Sequence, residues 1–300
     1  MPFKNLFKQS HPSEDSTKKE STIENILAKT IAPPESTPEE DERKDPGKTS
    51  VDDLFPFGTR TYEAVAPDTD APYLCDHASI CPVCGQHITL PKPLTAALSL
   101  VHVDNDLRRH YKEFSPLWYD IWYCPHCYYT ALYTDFEESR NFYAQNIKQA
   151  MLPYQQAGIL SFSTPRTVDE TITSMYMALR CADFYDCEPL AIAKIWLHLS
   201  WIYHDLEDED MFMKASAKAL EAYKRMYYEH KEDFPPVVEQ TCFLVTAELY
   251  ILQKDYENAY TCLVHSKRVE GGNRLYIMNA QNRIDDVKEM RQAEKEKMQS

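Results

Sequence analysis

The sequence predicts a mostly helical α+β protein. A small cysteine-bearing module with short strands precedes an antiparallel helical array and follows a disordered tail. Three observations predict this order. Two Cys-Pro-x-Cys pairs, Cys81–Cys84 and Cys124–Cys127, are separated by 39 residues and flanked by aromatic residues. From Thr167 onward, apolar residues recur at helical spacing. Near the start, "PPESTPEEDERKDPGKTS" is rich in Pro, Glu, Ser and Lys, and cannot bury enough apolar surface to offset its ordering entropy.

The tail is assigned to residues 1–58. One island within it, Ser21-Thr-Ile-Glu24-Asn-Ile-Leu27, has capping-box spacing and places Ile23, Ile26 and Leu27 on one helical face. The cysteine module is assigned to residues 59–153. Alternation at Trp118–Tyr123 and the aromatic run Tyr128–Tyr133 predict short strands around a knuckle. Thr134-x-x-Glu137 predicts the start of a helix running to about Leu152 and ended by Pro153.

The helical domain is assigned to residues 165–300. Thr167-x-x-Glu170 caps the first helix, and Pro189 suits the first turn of the second. That second helix is apolar nearly all round and so has to lie between neighbours. The acidic run Asp205–Asp210 reads as a solvated turn, Pro235-Pro236 start another helix, and Gly271-Gly272 stop the one before the polar C-terminal helix. The helices pair at an expected period of roughly 34 to 40 residues, as in tetratricopeptide-type repeats. Trp196, Leu199 and Tyr203 match one first-helix signature, and Tyr250 and Ala259 a second; Ser200 and Ala247 stand where that pattern has glycine.

Composition narrows the function. The 300 residues carry 32 basic and 47 acidic side chains, a net charge of −15, which disfavours nonspecific binding to nucleic acid or an anionic membrane. Apolar stretches such as Thr95–Val103 fall far short of the roughly 18 residues that span a bilayer, and the N-terminus lacks the apolar core of a secretory signal. A cytoplasmic location without membrane contact is expected. The six glycines form neither G-x-G nor G-x-x-x-x-G-K, so no loop is built to cradle a nucleotide phosphate. No H-E-x-x-H or G-x-S-x-G motif occurs, and a nonenzymatic role is expected.

The thiols carry the chemistry. In a reducing compartment, nine cysteines read as metal ligands and buried thiols rather than a disulfide framework. A Cys-x-x-Cys turn sets two sulfurs on one side of a knuckle, and two knuckles complete a tetrahedron around structural Zn2+, with Cys81, Cys84, Cys124 and Cys127 as ligands. Proline after the first cysteine presets the turn, and Gly85 after the second allows a positive φ. Tyr128 replaces that glycine in the second knuckle. A redox dithiol and a rubredoxin-like iron site are the alternatives. Cys75 is an additional thiol nearby, and His77, His87 and His126 are alternative ligands, His126 reading as a surface residue. Cys181, Cys187, Cys242 and Cys262 read as small buried hydrophobes in the helices.

The rings of Trp118, Tyr119, Trp122, Tyr123, Tyr128, Tyr129, Tyr133 and Phe136 are expected to wrap the knuckle and pack against the helices. A base-stacking platform would need positive charge. Between Cys75 and Tyr143, however, five basic residues face eight acidic ones. A nucleic-acid role rests on the pair Arg108-Arg109. Asp104 and Asp106, without further acids or a calcium-loop glycine, read as a solvated or salt-bridged loop beside those arginines.

The motifs "CPVCG", "HVDNDLRRHYKEFSPLWYDIWYCPHC" and "ALYTDF", followed by paired helices, resemble the bacterial domain of unknown function 2225. The matching positions are Cys81 and Cys84, Asp104 and Asp106, Tyr111, Pro116 and Tyr119, then Cys124, Cys127 and Phe136, over about residues 75–270. The resemblance implies a zinc-ribbon-like front and a tetratricopeptide-like rear, and no known activity. The leading expectation is a zinc-stabilised adaptor that binds a protein or peptide partner through its helical array. The alternatives are a nucleic-acid-associated zinc ribbon and a thiol or zinc sensor.

Overall fold

The computed structural model describes residues 50–66, 68–163, 165–230 and 234–299. The island Ser21–Leu27 lies outside them. Three two-stranded antiparallel hairpins come first: β1 (Leu74–Ile80) with β2 (His87–Pro93), β3 (Leu100–Val103) with β4 (Arg109–Tyr111), and β5 (Ile121–Tyr123) with β6 (Thr130–Leu132). Seven helices follow among the described residues: α1 (Ala144–Ala157), α2 (Val168–Ala182), α3 (Pro189–Asp205), α4 (Glu209–His230), α5 (Pro236–Leu252), α6 (Tyr256–Arg268) and α7 (Arg274–Gln299). The mostly helical α+β class is as the sequence predicts.

Local signals explain several boundaries. Thr167 caps α2 with a complete capping box: its hydroxyl accepts from the Glu170 N–H, and the Glu170 carboxylate accepts from the Thr167 N–H. Proline occupies the first turn of α3, where its missing N–H costs nothing. The helix expected from Thr134 to Leu152 is displaced to Ala144–Ala157. Thr134 donates to Asp135, and Glu137 accepts from Ser79 on β1 and lies 3.0 Å from His77, so the capping box is never made. Pro153 sits inside α1 rather than ending it. The lost hydrogen bond is offset by Met151 and Tyr154, both fully buried, with the Tyr154 hydroxyl bonded to the Ser50 carbonyl. Gly158, at φ 62°, closes the helix.

Residues 51–58, assigned by sequence to the tail, are packed. Leu54 is buried, and the rings of Phe55 and Phe57 lie against Tyr176 and Trp196. The chain then runs along the start of α2, where Val65 bridges to Thr167, and Arg60 pairs with Asp208 and Asp210. The acidic turn is thus partly neutralised from within the chain.

The helical rear repeats, with a longer period than the sequence suggested. Pro236 follows Pro189 by 47 residues, and Tyr256 follows Glu209 by 47. Both hairpins turn alike. Glu207 and Lys254 take positive φ, and Asp208 and Asp255 each accept a backbone N–H three residues on. The expected 34 to 40 residues fall short because α4 runs 22 residues. One apolar cluster joins the cysteine hairpins to α1–α3 and the start of α4; a second occupies the space among α3–α7.

Gln240 is the polar pin of the rear. Fully buried, it donates to the carbonyls of Ser266 and Asn273 and accepts from the Asn273 N–H, tying α5 to the α6–α7 connection. Gly272 permits this approach, since a Cβ there would lie 2.6 Å from the Gln240 side-chain oxygen. Gln240→Leu strands those partners without hydrogen bonds. It is expected to lower stability by about 2–4 kcal/mol, read as a lower urea midpoint with an unchanged slope.

Candidate metal centre

Each knuckle is the turn of a hairpin. Beyond β1, the Cys81 N–H donates to the Gln86 carbonyl and the Gly85 N–H to the Cys81 carbonyl; beyond β5, Cys124 pairs likewise with Tyr129, and Tyr128 with Cys124. The two turns share one geometry, including the positive φ of 75° at Gly85 and 61° at Tyr128. A tyrosine therefore holds the left-handed conformation that its position demands, at a cost of about 1–2 kcal/mol. Its surroundings offset this. The ring is buried, and its hydroxyl donates to the Leu160 carbonyl.

The hairpins face each other so that the sulfurs of Cys81, Cys84, Cys124 and Cys127 all lie within 4.8 Å. Cys81 and Cys127 approach to 3.6 Å, and Cys84 and Cys124 to 3.5 Å. Sulfurs around a tetrahedral ion with metal–sulfur bonds of about 2.3 Å stand about 3.8 Å apart, so the donor set fits one such ion. Cys81 and Cys124 are fully buried, and Cys84 is half-buried.

Electrostatics favour the same reading. The Cys81 thiol is pulled far below its usual range, first by hydrogen bonds from the Cys124 and Cys127 thiols, then by backbone N–H groups of Cys84 and Val83. Cys127 moves the opposite way because it hydrogen-bonds to Cys124 and Cys81 and is buried. Cys81, Cys124 and Cys127 thus compete for the same protons. A cation in their midst allows all four to be thiolates. Four thiolates complete the tetrahedron and leave no position for water or substrate.

The aromatic residues form the wall of this centre. Tyr129 and Phe136 are 0% exposed, Trp122 is 2% exposed, and none of the eight rings is fully solvent-facing. Burying a large side chain fully contributes about 1.5–3 kcal/mol, so Tyr119, Trp122, Tyr128, Tyr129 and Phe136 are core, with Trp118, Tyr123 and Tyr133 half-buried at its edge. The wall continues into the helices: Cys181 on α2 donates to the Tyr128 carbonyl. Arg166, which sequence reasoning passed over, fastens the junction. Buried just before α2, it lies over the rings of Phe162 and Tyr119 and donates to the Trp118 carbonyl. Burial lowers its pKa to about 10.

The other sequence candidates fall outside the cluster. Cys75 lies on β1, half-buried, donating to the Lys92 carbonyl. His126 and His87 are exposed, and His77 stacks on Trp122. Cys181, Cys242 and Cys262 are buried helix residues whose thiols burial pushes up to about 12. Cys187, expected in a helix, sits in the loop before α3, half-buried, with burial raising it to about 11.

Arg108 and Arg109 part company. Arg108 is 8% exposed and holds Asp205 of α3 with both terminal nitrogens, also donating to the Trp201 carbonyl. Arg109 is exposed. Asp106 accepts from the Trp201 indole and the Arg108 N–H. Asp104, a half-exposed residue of the β3–β4 turn as expected, has two histidines rather than the arginines as its side-chain partners, His102 two residues before it and His110 on the opposite strand. The signal for them was the pattern H-V-D-N-D-L-R-R-H, legible only once the hairpin register is known.

Paired knuckle hairpins with four converging thiols, mounted on a helical-hairpin array, define a protein whose cysteine cluster is compatible with a metal and buried in its core. The chain belongs to the family described as an uncharacterised protein conserved in bacteria, domain of unknown function 2225, whose model matches residues 74–294. That match runs beyond residue 270, where the motif resemblance ended. An uncharacterised protein of Borreliella burgdorferi is 26% identical over 54% of this chain and 67% of its own length. No solved structure matches.

Metal analysis of the purified proteins is expected to find one ion per chain in the wild type and in Cys75→Ser, and none in Cys124→Ser, whose front hairpins loosen. Tyr128→Gly relieves the left-handed strain but removes a buried ring and a hydrogen bond. It is expected to retain the metal and melt earlier, with a net loss of about 1–3 kcal/mol.

Proposed function

We propose that the cysteine cluster holds a structural zinc ion and that the protein is a cytoplasmic adaptor binding a protein partner through its helical rear. The observation that carries this reading is the closed site. Four converging sulfurs, three of them on buried residues, fill a tetrahedral ion's coordination sphere and offer no open position for chemistry, so the ion serves to fix two short hairpins against α2. Hairpins this short need such a staple, because a two-stranded ribbon alone is marginal in water.

The rear supplies the surface. A helical-hairpin array repeated at 47 residues leaves large apolar side chains exposed on its last three helices: Val237 on α5, Tyr260 on α6, and Leu275 and Met278 on α7. Leu275 and Met278 are three residues apart and share a helix face. The withdrawal of Arg108 into an internal ion pair weighs against the nucleic-acid alternative. No helix among the described residues is long and apolar enough to cross a membrane.

Photo-crosslinking in cells from position 278 tests the proposal. The expected result is a discrete protein adduct that Leu275→Asp abolishes without changing zinc content or melting temperature. Crosslinking no stronger than from the polar position Lys288 would refute it.

A further inference from the structure

A second group of metal-ligating side chains lies outside the cysteine cluster. The β3–β4 hairpin places His102 opposite His110 in the strand register, and Asp104 two residues beyond His102. The two imidazole rings stack at 4.1 Å between centroids and 7° between planes. Both reach one carboxylate. His110 Nε2 lies 2.6 Å from Asp104 Oδ2, and His102 Nε2 lies 3.3 Å from Asp104 Oδ1. The three ligand atoms fall within 4.8 Å of one another.

We propose that His102, Asp104 and His110 form a second, solvent-open site for a divalent borderline transition ion such as Zn2+. Two imidazole nitrogens and one carboxylate oxygen suit zinc and its first-row neighbours, whereas magnesium and calcium take all-oxygen sets. With ligand bonds of about 2.0–2.2 Å, neighbouring donor atoms around a tetrahedral ion stand about 3.3–3.6 Å apart. The His102–Asp104 spacing of 3.3 Å meets that range, and the His110–Asp104 spacing of 2.6 Å falls short of it. Binding requires the His110–Asp104 contact to open by about 0.7–1 Å, within reach of side-chain rotation on an exposed hairpin, and the parallel rings to tilt until both lone pairs meet the ion.

The platform is set by backbone and by anchors elsewhere. Asp104 N–H donates to the Arg108 carbonyl, and Leu107, at φ 68°, closes the turn by donating to the Asp104 carbonyl. Arg108 and Asp106 pin the hairpin to α3 through Asp205 and Trp201, leaving the histidine face free of that load. Arg109, paired with Val103 next to the histidine pair, has its side chain on the opposite face. Unlike the cysteine cluster, this site is exposed. The side chains of His102, Asp104 and His110 are 55%, 42% and 31% accessible. Three ligands leave coordination positions for water or for an anionic group from outside the protein, as in catalytic and bridging sites rather than structural ones.

The test uses the full chain, purified under reducing conditions with its thiolate-bound ion and dialysed free of excess metal. Titration with Zn2+ in a calorimeter is compared between the wild type and the His102→Gln/His110→Gln double variant, with Asp104→Asn as a third protein. The expected result is one further equivalent bound by the wild type, lost in the double variant and weakened in Asp104→Asn, with thiolate-bound metal and helix content unchanged in both. Co2+ taken up as that further equivalent should lack thiolate-to-metal charge-transfer absorption. A wild type that binds no further equivalent, or a double variant that still binds it, overturns the proposal.

Discussion

Four cysteine sulfurs within 4.8 Å of one another, three of them on buried residues and one half-buried, are the constraint on which the front half of the molecule depends. The sulfurs cannot all be charged without a cation between them, and cannot scatter without dismantling both hairpins. The consequences run outward from that point. Each knuckle must adopt the same tight turn, so residue 128 must be left-handed whether or not it is glycine. The rings of Trp122, Tyr129 and Phe136 must fill the space behind the sulfurs. The Tyr128 hydroxyl then reaches the chain beyond α1, and its carbonyl reaches Cys181 on α2.

Joining such a module to a helical array raises a second problem, because strands that short expose polar backbone at their ends. The solution is a set of charged and aromatic side chains each used in more than one direction. Arg166 contacts two rings and a carbonyl at once. Arg108 neutralises Asp205 and caps the Trp201 carbonyl at the end of α3, while Trp201 returns a hydrogen bond to Asp106. A buried guanidinium is tolerable only when its charge and donors are met, and here carboxylate, carbonyl and ring faces meet them. The β3–β4 hairpin is therefore held at its base while its outer face remains in solvent.

The two ligand clusters divide the labour that metal chemistry allows. Four sulfur donors around one ion give rigidity and exclude exchange. Nitrogen and oxygen donors on an exposed hairpin permit exchange and leave room for a further ligand.

Features governed by residues close in the chain were legible beforehand. The spacing of Cys81 with Cys84 and of Cys124 with Cys127 specifies a knuckle, because a tight turn is a local event. Thr167 with Glu170 specifies a helix start for the same reason, and Pro189 a first turn. Where the sequence reading departed from the structure, distant residues decided. Glu137 left its expected cap for Ser79, 58 residues away, and moved the start of α1. Pro153 remained inside that helix because burial of Met151 and Tyr154 outweighs one missing hydrogen bond. His102, Asp104 and His110 became one cluster only through hairpin register, which a one-residue slip would have destroyed. Local spacing thus determined the two knuckles, the starts of α2 and α3, and the class of the fold. The tertiary structure decided which side chains meet, because contact between distant residues depends on packing that no short stretch encodes.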